Sequence, residues 1–356
     1  MEANNRVFGL DLIRSLAIIF VVLGHSQRIL RFAHPEIVVF TKIDGVTLFF
    51  VLSGFLIGRI IYRAVQGDDL RSLYRFYNRR WWRTLPNYYL FFGFHIIFYY
   101  ALGVQHMIDW RGLFFIQNLT SPPGAFFRES WSLAVEEWFY LTFPLIYWVI
   151  LRFTGAANLK HYLIYTLVFL MISWLYKYGF FANHPEIEKP QVYARLPVVF
   201  RISSILWGVL LGIVYLMRPK WLSKGWPWLL AGIALWIGGD VVMDSLGFFW
   251  KSVWKYELKS VLALCFIAAA LHLPRPKPWL ASLVTQISVY SYSMYLINLP
   301  FLSNWRRLLL QFDRSDPAFI WTAIIIAWLL IFFLSRLNYH VFERRMTALR
   351  MTDKRS

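Results

Sequence analysis

One cysteine stands among 356 residues, which excludes an internal disulfide and any CxxC metal site. Cys265 lies in the apolar run Leu262-Ala263-Leu264-Cys265-Phe266-Ile267 and reads as a buried thiol. Acidic residues are scarce, 19 against 37 lysines and arginines, for a net charge of +18. No GxSxG elbow, Walker loop or HExxH occurs, and no His, Cys, Asp or Glu cluster has metal-ligand spacing, so no metal is expected. Internal repeats and low-complexity tracts are also missing. Seven of the eight histidines (His34, His95, His106, His161, His184, His272 and His340) are scattered and carry little functional weight.

What is present is apolar surface: 58% hydrophobic and 20% aromatic residues, with a mean hydropathy of +0.49. Apolar runs of roughly 20 residues, enough to cross ~30 Å of hydrocarbon, recur along the whole chain. They predict an all-α polytopic membrane bundle, one domain over 1–356, with about ten spans. These fall near 9–29, 44–63, 85–104, 131–151, 159–179, 198–217, 227–245, 253–273, 280–302 and 317–337. The first is too long for a cleavable signal and contains Arg14. Basic residues concentrate on the side of the N-terminus, above all in 64–84, which places both termini in the cytoplasm. The positive charge fits membrane-bordering loops drawn to anionic lipid, not nucleic acid. Residues 64–84 read as a basic inside loop. Residues 105–130 read as an outside segment that lies at the interface or re-enters.

Within the first span, Arg14 and His25 are eleven residues apart, about three helical turns and ~16 Å of rise, and so lie on nearly one face. Ionisable groups in a bilayer are costly, and two in line mark a polar passage. Imidazole titrates near neutrality and can take a proton from a hydroxyl; the plainer reading is a neutral histidine satisfied inside the bundle. Arg14 stays charged. Asp11, one turn earlier, is its expected partner, with snorkelling or a ligand phosphate as other readings. In the second span, Ser53, Gly54 and Gly58 allow close helix approach, and Ser53 can line a wall for a slender ligand. Arg80 and Arg83 share a face if their segment is helical, and such a pair suits a diphosphate, against ordinary positive-inside charge.

Glu136 and Glu137 enter the fourth span together. Adjacent positions point ~100° apart, so each needs its own partner: one to orient His25 or take its proton, the other to pair with a cation. A structural ion pair is the alternative. In the ninth span Asn298 follows Tyr290-Ser291-Tyr292-Ser293-Met294-Tyr295 and serves either as interhelical glue or as a hold on a substrate hydroxyl. Glu343 most simply pairs with a nearby arginine.

These residues resemble the membrane-bound acyltransferase-3 family, bacterial O-acylases of cell-surface glycans. The likeness rests on Arg14 and His25 with ten residues between them, Gly9-Leu10-Asp11-Leu12-Ile13-Arg14, and Phe49-Phe50-Val51-Leu52-Ser53-Gly54-Phe55-Leu56-Ile57. It also rests on Arg80 with Arg83 and on Trp131-Ser132-Leu133-Ala134-Val135-Glu136-Glu137-Trp138-Phe139-Tyr140. Many members carry His where this chain has Asn298. The resemblance implies a bacterial inner-membrane enzyme and a cytosolic acyl-CoA donor, usually acetyl-CoA. The implied acceptor is a glycan or lipid-linked glycan hydroxyl, as in O-antigen or exopolysaccharide. Unlike fused members, the bundle is expected to carry no extracytoplasmic domain after its last span. On that basis the donor's phosphates would meet Arg14, Arg80 and Arg83, with Ser53 beside the thioester arm. His25 would then act as base or acyl carrier, Glu136 or Glu137 would fix it, and Trp131 and Tyr140 would stack on sugar against the rival reading of an aromatic belt. A secondary transporter or a non-catalytic component of a glycan assembly complex is the alternative; the missing repeat argues against the first.

Overall fold

The computed structural model describes residues 6–31, 44–66, 70–155, 158–312 and 316–350; His34 lies outside them. Among the described residues the chain is helical, with no strand. The helices are α1 (Phe8–Leu30), α2 (Gly45–Gln66), α3 (Leu70–Ala101), α4 (Ser130–Thr154), α5 (Leu159–Asn183) and α6 (Pro190–Arg195). They continue as α7 (Val198–Met217), α8 (Trp226–Ser245), α9 (Phe248–Ala270), α10 (Pro278–Leu309), α11 (Pro317–Asn338) and α12 (Arg344–Ala348).

Each expected span falls on a long helix. Among the described residues, seven stretches are long and apolar enough to cross a membrane: α1, α2, α4, α5, α7, α8 and the run Pro317–Ala348. The count of ten therefore is not reproduced on those grounds. The exceptions, α3, α9 and α10, carry the most polar side chains: arginines at 71, 75, 79, 80 and 83, then Lys251, Lys255, Glu257 and Lys259, then the hydroxyls and amide of 288–298.

Local chemistry sets the ends. Asn158 caps α5 by accepting from the His161 amide, and Asp316 caps α11 by accepting from Ala318, with Pro317 in the first turn. Gly155, at φ 62°, closes α4 in the left-handed conformation. The expected loop at 64–84 is mostly helix. No glycine or proline interrupts Leu70–Leu85, so α3 starts at Leu70 and runs 32 residues, with Pro86 inside it.

The chain forms two compact units. Unit 1 lies within 1–46, 82–91 and 274–350; unit 2 lies within 47–81 and 92–273. In unit 1, α1 packs on α10 and α11. Ser15 donates to the Val284 carbonyl (2.8 Å), Ser288 to Asp11 Oδ1 (2.7 Å) and Trp328 Nε1 to Ser26 Oγ (3.0 Å).

In unit 2, α7 is the hub, packing on α4, α5 and α9, with α8 against α9. Helices α2 and α7 meet backbone to backbone. A Cβ on Gly54 would fall 1.9 Å from the Ile205 carbonyl oxygen, and one on Gly208 1.9 Å from that of Val51. Small residues at a membrane-helix crossing permit this approach. The 102–129 segment is irregular, with short 3-10 turns and positive φ at Phe115 and Phe127. It is stitched to the starts of α4 and α7: Asn118 Nδ2 donates to the Trp131 and Leu196 carbonyls (2.9 and 2.7 Å), and the Val198 amide donates to the Asn118 carbonyl.

Candidate functional site

His25 occupies the last two turns of α1, half-buried, and its Nδ1 meets Oδ1 of Asn298 on α10. Asn298 is fully buried. Its Nδ2 donates to the Met294 and Tyr295 carbonyls (2.8 and 2.7 Å), one turn back on its own helix. Both amide hydrogens are thereby used, so Oδ1 must be the atom that faces the ring, and it can only accept. Nδ1 is therefore the donor to the amide, and in the neutral form of the ring the lone pair lies on Nε2. A base whose tautomer is held by an amide can take a proton from a hydroxyl.

Within unit 1, Asn298 holds the ring, a contact that the sequence did not assign to it, and its own donors go to α10 carbonyls. Asp11 accepts a bidentate pair from Arg6 (2.9 and 2.6 Å) as well as the Ser288 hydroxyl. This is the partner geometry that a buried carboxylate at a helix start favours. Arg14 is half-buried and Arg83 exposed, both within unit 1.

The second cluster belongs to unit 2. Glu136 on α4 accepts from Ser53 Oγ of α2 (3.0 Å) at Oε1 and from Arg80 Nη2 of α3 (2.9 Å) at Oε2. Both partners of the ion pair are largely shielded, at 12% and 14% exposure. The Arg80 guanidinium also lies 3.9 Å over the Tyr140 ring. Glu137 sits half-buried on the next position of α4. Ser53 precedes Gly54, the residue at which α2 crosses α7. Trp131 and Tyr140 are interior residues. Tyr140 is 1% exposed with one face covered by Arg80, and Trp131 packs edge-on against Phe50. With both rings buried, neither presents an open face for the expected sugar stacking.

Three groupings escaped the sequence reading. In unit 2, Glu257 accepts from Lys177 (2.5 Å), Ser203 (2.7 Å) and Trp207 (2.9 Å). His95 lies 3.4 Å from Glu129, the residue before α4, whose carboxyl burial pushes up to about 8. In unit 1, Glu343 is buried and accepts from Ser293 (2.5 Å) and Asn87 (3.3 Å), and the charge of Arg83 acts on it as the expected arginine. Glu257 and Glu343 each stand near basic residues in the sequence, which gave no signal of these partners.

The acyltransferase-3 family profile, described as an acyltransferase domain, matches residues 7–336. A peptidoglycan O-acetyltransferase of Listeria monocytogenes, OatA, is 27% identical over 186 residues, 47% of this chain and 28% of that protein. A Staphylococcus aureus protein with the provisional name O-acetyltransferase is 26% identical over 324 residues, 81% of this chain and 49% of its own length. The chain thus spans less than half the length of these relatives. No solved structure matches it.

Proposed function

This chain belongs to the acyltransferase-3 family, and from that premise we propose that it is a membrane O-acetyltransferase moving an acetyl group from acetyl-CoA to a hydroxyl of a cell-surface glycan. The observation that carries this reading is the His25–Asn298 pair, an imidazole whose Nδ1 is fixed as the donor to a buried amide. His25 Nε2 takes the proton of the acceptor hydroxyl as that oxygen attacks the thioester carbonyl. The C–S bond breaks, and the proton passes from the imidazolium to the departing thiolate. Asn298 is a positioning residue in this scheme.

The donor's phosphates suit guanidinium groups. Arg14 and Arg83 share a compact unit with His25. Arg80 is engaged by Glu136, so a phosphate there would compete with a carboxylate. No metal is part of the scheme. The acceptor class is a surface polysaccharide, free or lipid-linked: O-antigen, exopolysaccharide or, following the name of the Listeria relative, peptidoglycan. The reading places the protein in the bacterial inner membrane with both termini in the cytosol.

The test is mass spectrometry of surface glycans from cells with the wild-type protein, with His25→Ala and with neither. Wild type should add acetyl groups, and His25→Ala should lower turnover by about 10²–10⁴-fold. Unchanged acetylation in His25→Ala, or uptake of an unmodified solute by the protein in vesicles, overturns the reading.

A further inference from the structure

The run from α11 to α12 is interrupted by a π turn, Tyr339–Glu343, closed by the Arg344 amide donating to the Tyr339 carbonyl five residues back. In a continuous α-helix, Asn338 and Glu343 would point about 140° apart, since successive residues turn by ~100°. Here both reach the same buried cluster. Asn338 Nδ2 donates to Asn87 Oδ1 (3.0 Å) and to Ser293 Oγ (2.8 Å). Asn87 Nδ2 and Ser293 Oγ in turn donate to Glu343 Oε2. The four side chains form a closed circuit, with Asn87 and Ser293 at 1% and 0% exposure. A π turn costs regular helix hydrogen bonding and is found preferentially where a side chain must be re-aimed.

The circuit grips one short piece of α3. Asn87 follows Pro86, whose ring removes a backbone hydrogen bond inside that helix. One turn before Asn87, on the same face, stands Arg83, exposed. Between them the Thr84 carbonyl accepts the Tyr292 hydroxyl (2.8 Å). A helix segment weakened at Pro86 is thus held from α10 at Thr84 and from the π turn at Asn87. All these residues lie in unit 1. Glu343 also interacts electrostatically with Arg83.

We infer that Glu343 is a positioning residue: with Asn87, Ser293, Asn338 and Tyr292 it holds the turn that carries Arg83, so that this guanidinium meets an anionic group of the acyl donor. The inference rests on the proposed acyl-CoA reaction, and its chemistry is that of a phosphate ester gripped by an arginine on a braced turn.

The experiment measures steady-state acetyl transfer by the full-length protein in vesicles, with acetyl-CoA varied, for wild type, Glu343→Gln, Tyr292→Phe, Arg83→Ala and the Arg83→Ala/Glu343→Gln double variant. Glu343→Gln should raise the donor KM about tenfold with kcat within about twofold. Tyr292→Phe, which removes a single hydroxyl, should raise it less. The double variant should have the KM of Arg83→Ala alone, because the two substitutions remove one and the same contact. Equal loss of kcat in both single variants with KM unchanged, or KM effects that multiply in the double variant, overturns the inference. If Glu343→Gln does not fold, Tyr292→Phe with Arg83→Ala decides by the same criteria. Wild-type protein without acetyl-CoA-dependent transfer instead removes the underlying reading.

Discussion

Unit 1 gives its histidine an uncharged partner, whereas unit 2 fixes its carboxylates with cations. His25 faces the Asn298 amide, while Glu136 is held by Arg80 and Glu257 by Lys177. A neutral orienting group fixes which nitrogen of an imidazole donates without adding a charge beside the ring. A buried ion pair does the opposite, since removing either charge strands the other in a medium that cannot solvate it. The difference separates a place where protons can move from places built to keep charge still.

The sharpest way to break this comparison is at Lys177. Lys177→Met should cost about 3–5 kcal/mol by leaving Glu257 buried and uncompensated. Thermal unfolding in detergent should show a large drop in midpoint, and Lys177→Met with Glu257→Leu should recover most of it. Recovery that fails would mean that the carboxylate has a role beyond the pair.

Next in size is Asn298. Asn298→Ala should lower kcat by about 10²-fold through misplacement of the base, with stability little changed. Asn298→Asp should retain more activity but move the acidic limb of the pH–rate profile to higher pH, because a carboxylate stabilises the imidazolium. An unmoved limb would remove His25 from the proton transfer.

The smallest effect is expected outside the spans. Arg111 donates to Asp109 (2.8 Å) from an exposed position, and that hydrogen bond holds the Asp109 carboxyl below its ordinary range. A depressed acid stabilises the fold above its ordinary pKa of 3.8, and that stability is lost as pH falls through the lowered value. Arg111→Ala should therefore cost less than about 1 kcal/mol near neutrality, and less still at pH 3 or in high salt, as read by thermal midpoints.

Most of the helices were legible as apolar runs of membrane length, the basic first half of α3 was not, and Arg14 and His25 stood out because charge inside such a run is rare. Which side chain meets which was not legible. Asn298 is 273 positions from His25 and its amide reads equally well as packing glue; Glu136 lies 83 from Ser53 and 56 from Arg80. These partnerships come from helix packing and from the Gly54–Gly208 crossing, neither of which has a local pattern. The expected arginine does act on Glu343, as Arg83, but the carboxylate's contacts with Asn87 and Ser293 depend on a π turn, which has no local pattern.

At 32 residues, α3 is about 48 Å long, some 18 Å more than a hydrocarbon layer is thick. If α3 crosses the membrane as the sequence predicts, roughly three of its turns extend beyond the hydrocarbon, and the arginines at 71, 75 and 79 ride on helix instead of a slack loop. A negatively charged solute would be captured on that stretch before meeting lipid. Ionic strength should then slow its arrival and leave the later bond-making step alone.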